Sequence, residues 1–145
     1  EAVLDLAVEQ ILSPALAHVT QAFVGAMMEQ NIPLEAILTE LTLSGEIERN
    51  YRLLREIGFV GQLDLHSPAS QYGQLSRRGH FDELNFKPSM QAMADYIAGG
   101  NFADEWDAEC EQGMPTLTAL RDQHAGPAMK EFETGLRKRL GPDAR

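Results

Sequence analysis

The chain has 145 residues, with 22 acidic against 12 basic side chains and a formal net charge of −10. That length supports one domain with a sizeable core. The charge excludes nucleic acid and anionic membranes as main partners, because both repel it over a Debye length. The single cysteine, Cys110, cannot close an internal disulfide, and the sequence shows no charged-then-apolar leader and no apolar run that reads as bilayer-spanning, so a reduced, cytoplasmic setting is expected.

The pattern turns helical at once, without an initiating methionine, which reads as a piece of a larger protein. From Ala2 to Met28, apolar positions such as Val3, Ala7, Ile11, Leu12, Leu16, Val19, Phe23 and Met27 recur at three- and four-residue spacing, predicting an amphipathic helix. Pro14 removes a backbone bond and presses on the Gln10 carbonyl, so a kink or break is expected near Ser13. Asn31-Ile32-Pro33 predicts a turn into a second helix, proline at its first position, running through Leu34, Ile37, Leu41, Ile47, Tyr51 and Ile57 to Gly58. Ser67-Pro68 is an N-cap followed by proline at the first helical position, opening a helix to about Arg78. Further helices are expected at Lys87–Ala98, at Phe102–Gln112, and from Met114 or Pro115 to Leu140. Gly58, Gly99-Gly100, Gly113 and Gly141 fall where the apolar pattern stops, as helix C-termini often do. Nothing alternates as a strand does, so the fold class is all-α.

Asp5 and Glu9, four residues apart, present two carboxylates on one helix face, about 6 Å apart at their β-carbons. Magnesium suits such a pair, since it takes oxygen ligands and keeps waters for substrate oxygens. The alternative is a solvated helix face. Glu46 follows Ser44-Gly45, where a helix-interior glycine implies either a close approach to the backbone or tight helix packing. At Ser67 the hydroxyl, the amides of Ala69 and Ser70 and the helix dipole offer a place for a carboxylate or phosphate; the alternative is a plain cap. His66 stands beside it. No zinc spacing, nucleophile elbow or dinucleotide fingerprint is present.

These positions, in this order, resemble the helical C-terminal domain of ketol-acid reductoisomerases, over nearly the whole chain. Asp5-Leu-Ala-Val-Glu9-Gln10 is similar to the family's first metal-binding helix, in which the aspartate bridges two magnesium ions and the glutamate binds one. Glu46 falls where a glutamate of the second pair stands, and Ser67, in Ser-x-x-x-x-Tyr-Gly, where a serine holds the substrate carboxylate. Asn101-Phe-Ala-Asp-Glu-Trp106 and the closing Gly135-Leu-Arg-Lys-Arg139 extend the resemblance. One departure stands out: four residues before Glu46 the family has a glutamate, whereas this chain has Thr42, a poorer magnesium ligand. Leu43-Ser-Gly-Glu46 and the block from His66 to Arg77 look closer to a divergent branch, the phosphogluconate-dehydrogenase-like C-terminal domains that include D-apionate oxidoisomerase.

The resemblance implies the C-terminal half of an NAD- or NADP-dependent oxidoreductase or oxidoisomerase acting on a hydroxy acid or sugar acid. It implies a knotted or interwound domain over residues 1–145, dimeric through its long apolar helices and preceded by a Rossmann domain, with the isolated piece inactive. Asp5, Glu9 and Glu46 would bind magnesium, Glu46 would also serve catalysis, and Ser67, His66 and Thr42 would meet substrate. The competing readings are a non-catalytic dimerisation module and a ketol-acid reductoisomerase with an altered second metal site.

Overall fold

The computed structural model describes residues 2–140, with the side chain of Leu140 left aside, so the Gly141 expectation lies outside the described residues. Every regular element among them is helical. Two compact units are formed. Among the described residues, one contains 2–26 together with 87–140, and the other is Met27–Phe86.

The first unit opens with α1 (Ala2–Ala7), a π-helical turn (Val8–Leu12) and the start of α2 (Ser13–Glu29). Pro14 produces neither a break nor a separate helix. With no N–H on Pro14 to bond Gln10, the preceding turn widens: the Ser13 N–H and its hydroxyl both donate to the Val8 carbonyl, the hydroxyl at 3.0 Å. Residues 11–28 carry no charged side chain, and Ala2–Glu29 is long and apolar enough to cross a bilayer by length and composition, contrary to the expectation from the sequence. The polar residues His18, Thr20 and Gln21 hid this, because Ala, Gly and Met fill the rest of that face.

Against α1 and its π turn packs α6 (Lys87–Ala98), with Ile11 and Ile97 buried. Gly100, at φ 83°, turns the chain into α7 (Asn101–Glu111), which packs on α6. There follow α8 (Pro115–His124) and α9 (Pro127–Leu140), where the sequence predicts one helix to Leu140. Gly126-Pro127 makes the break. A β-carbon on Gly126 would stand 2.5 Å from the Asp122 carbonyl oxygen, and proline disfavours helical backbone in the residue before it.

In the second unit, Pro33 sits one place earlier than predicted, as the extended cap of α3 (Leu34–Leu38), which passes into a π turn (Thr39–Leu43). The predicted long helix stops here. Thr39, Thr42 and Ser44 each turn their hydroxyl back on the carbonyl four residues earlier, and Gly45 adopts φ 75°. Nothing lies within 4 Å of where a Gly45 β-carbon would be, so the glycine serves neither packing nor close approach. It serves a left-handed backbone.

The next helix, α4 (Glu46–Asp64), runs through Gly58 instead of ending there, but Gly58 takes φ 73° and ψ 176°, a region open essentially only to glycine. On a straight helix Asn50 and Gln62 would be about 18 Å apart. Their side chains meet at 3.5 Å, so Gly58 folds α4 back on itself as two limbs. Leu63 and Gln62 are buried on the returning limb. The unit closes with α5 (Pro68–Arg77) and a short 3-10 turn (Arg78–Phe81).

Candidate active site

Asp5 and Glu9 belong to the first unit; Thr42, Glu46, His66 and Ser67 belong to the second. Asp5 lies on α1 and Glu9 on the π turn that Pro14 provokes, both exposed. Neither has an ion-pair or hydrogen-bonding partner among the described residues, and there no third acidic, histidine or cysteine side chain joins them as a metal cluster. Two exposed carboxylates on adjoining turns fit magnesium as an ion that keeps most of its waters.

The second pair does not fit. Thr42 is on the π turn, and its hydroxyl proton is committed to the Leu38 carbonyl at 2.7 Å. Glu46 begins a different helix, beyond the left-handed Gly45. The two are therefore not one turn apart on a continuous helix, as a paired site needs. Ser44 organises this corner: its hydroxyl donates to the Glu40 carbonyl at 2.6 Å and accepts from the Glu46 N–H at 3.2 Å. The Glu46 side chain stays exposed at the positive end of α4.

Ser67 caps α5 with φ −61° and ψ 154°, and its hydroxyl oxygen accepts from the Ser70 N–H at 3.3 Å. The Ser70 amide is thus already used, contrary to the sequence reading. What remains for an anion is the Ala69 N–H and the Ser67 hydroxyl proton, which an accepting oxygen leaves free. His66 is half-buried; the Gln62 amide meets its ring, and the Gln71 amide donates to its carbonyl at 2.8 Å.

Sequence reasoning missed Asn50, Gln62 and Gln71. A signal for Gln62 was present: it interrupts the apolar run Phe59-Val-Gly-Gln-Leu63, four residues before His66. A largely apolar groove of about 420 Å³ lies within the first unit, between Ala7, Val8, Ile11 and Leu12 and the α6 residues Lys87, Met90, Gln91 and Ala94. It holds no acid or histidine. No strand leads into a glycine-rich turn among the described residues.

Residues 1–141 match the family model described as the C-terminal domain of ketol-acid reductoisomerase. The chain belongs to that family. It is 36% identical over 141 residues to a "Putative ketol-acid reductoisomerase 3" of Saccharolobus solfataricus, covering 97% of this chain and 42% of the relative. It is 34% identical over 85 residues to the ketol-acid reductoisomerase (NADP(+)) of Saccharopolyspora erythraea, covering 59% of this chain and 26% of that one. An NADH-preferring ketol-acid reductoisomerase from an uncultured archean has the same fold, with a TM-score of 0.76 at 24% identity over 95% of this chain and 41% of that one. The chain therefore spans less than half the length of these relatives. Its all-α architecture is that of the ketol-acid reductoisomerase C-terminal domain.

Proposed function

We propose that this domain binds substrate and metal for an NAD(P)-dependent oxidoreductase or oxidoisomerase acting on a hydroxylated acid, the dinucleotide being held by a preceding Rossmann domain. The observation that carries this reading is the set of exposed, unpartnered carboxylates at Asp5, Glu9 and Glu46, in family order with the Ser67 cap. Asp5 and Glu9 hold magnesium, which when bound polarises a substrate hydroxyl or carbonyl. The Ser67 hydroxyl and the Ala69 N–H take the substrate carboxylate at the positive end of α5. Glu46 accepts or returns the proton of a substrate hydroxyl and offers at most a lone carboxylate to a metal. Thr42 keeps oxygen lone pairs for a substrate hydroxyl, its own proton being engaged.

The break at Gly45 and the loss of a carboxylate at Thr42 favour the divergent, sugar-acid branch over acetolactate isomeroreduction. The relatives' names favour the second reading, a ketol-acid reductoisomerase with a compensating ligand. Assays of the full-length protein with NADH and NADPH on acetolactate and on a panel of aldonic acids separate the two. Turnover of aldonic acids alone is expected; turnover of acetolactate alone would establish the second reading. A magnesium titration by calorimetry belongs with it: one site is expected, lost in Asp5→Asn/Glu9→Gln, and binding unchanged by that double variant would leave a non-catalytic dimerisation module.

The same reading makes the domain a cytoplasmic homodimer, interwound through the helices whose apolar faces it leaves uncovered. None of the α2 residues is buried, and Leu16, Val19 and Phe23 line one face at 44–49% exposure. A second copy covers that face.

A further inference from the structure

Asn50, Gln62 and His66 form a side-chain relay that the proposed chemistry leaves unused. Gln62 is the buried polar side chain of the described core, 5% exposed, and a buried amide persists only when its hydrogen bonds are made. Its Nε2 lies 3.5 Å from Asn50 Oδ1 on the first limb of α4 and 2.5 Å from His66 Nε2 beyond the second. An amide nitrogen has two protons to donate and accepts nothing. With the Asn50 oxygen as one acceptor, His66 Nε2 is the other and carries no proton. A neutral imidazole has one N–H, so that proton sits on Nδ1.

The Gln71 amide holds the His66 backbone from the α5 side, at 2.8 Å to its carbonyl. His66 Nδ1 has no partner among the described residues. We infer that Gln62 is a positioning residue: it locks His66 as the Nδ1–H tautomer, so that the ring presents a donor, and not a lone pair, beside Ser67 to a carboxylate or hydroxyl oxygen of the substrate. The identity of the acceptor rests on the proposed function of Ser67, but the tautomer does not. Gly58 is what makes the lock possible, by returning Gln62 to Asn50.

The test is histidine-selective ¹⁵N NMR of the substrate-free full-length protein at pH 8. Four histidines make assignment by a His66→Gln variant straightforward. The wild type is expected to show His66 with protonated Nδ1 and bare Nε2. Gln62→Glu, whose carboxylate can only accept, is expected to reverse the tautomer, and Gln62→Leu to release it; Gln62→Glu keeps the side-chain volume should the leucine variant fail to fold. A wild-type His66 protonated at Nε2, or a tautomer unchanged in Gln62→Glu, overturns the inference while leaving the proposed function standing. With the aldonic acid found in the turnover assay, Gln62→Glu is expected to raise KM about tenfold or more at nearly constant kcat, the loss of one hydrogen bond to an ionised group. An unchanged KM overturns the substrate-facing half of the inference, and no turnover by the wild type overturns the proposed function instead.

Discussion

Tyr96 on α6 donates its hydroxyl to Glu105 Oε2 on α7 at 2.9 Å while remaining 43% exposed. That bond, then burial, then the negative charges of Glu105 and Asp104, hold the phenol above its ordinary value. A group whose folded pKa is raised stabilises the fold fully below the unfolded pKa, here about 10, and loses that contribution as pH rises through the folded one. Denaturation midpoints of wild type and Tyr96→Phe are therefore expected to differ at pH 8 and to converge above pH 10. An equal difference at pH 8 and pH 11 would show that the tyrosine contributes only by packing. Ser67, by contrast, has a local role that was legible beforehand: serine before proline reads as a cap, and the hydroxyl does accept from the Ser70 amide. What no reading of single residues supplied was that this bond removes one of the two amides offered to an anion.

Helices with a proline or glycine at a compatible position were predictable, and Lys87–Ala98 has the predicted bounds. Breaks inside apolar patterns were not. Periodicity runs smoothly across Gly45 and Gly126, so a pattern search joins helices that backbone conformation separates. At Gly58 the opposite error occurs: the residue marks a fold-back within α4, because its second limb still has apolar surface to bury at Leu63. Gly58→Ala places a β-carbon on φ 73°, ψ 176°, and is expected to destabilise the protein by about 1–3 kcal/mol. Chemical denaturation measures it; a loss below about 0.5 kcal/mol would mean that the limbs reach their positions without a strained turn. The same variant is expected to weaken the Asn50–Gln62 contact, since that contact depends on the reversal.

Among the described residues few side chains are buried in either unit: Ile11, Ile97 and Leu136 in one, Ile37, Gln62 and Leu63 in the other. Meanwhile Leu16, Val19 and Phe23 hold one exposed apolar face of α2. Contiguous apolar surface of this kind marks an interface. Sedimentation of the full-length protein is expected to give a dimer or a multiple of one, and Val19→Glu/Phe23→Glu a monomer, because a carboxylate without a partner is costly to bury. A double variant that sediments as the wild type does would assign this face to another occupant.

The sequence by itself determined the all-α class, the Ser67 start of α5, the family, and the order of Asp5, Glu9, Glu46 and Ser67, since each depends on residues near one another in the chain. The tertiary structure decided that Thr42 and Glu46 lie on different helices, that Ser13 and Pro14 widen a turn instead of breaking it, and that Gln62 meets both Asn50 and His66. Those outcomes depend on φ and ψ at Gly45 and Gly58 and on which backbone group each hydroxyl chooses. Glycine and the hydroxyl side chains have several acceptable choices locally, and only packing against the rest of the unit selects among them.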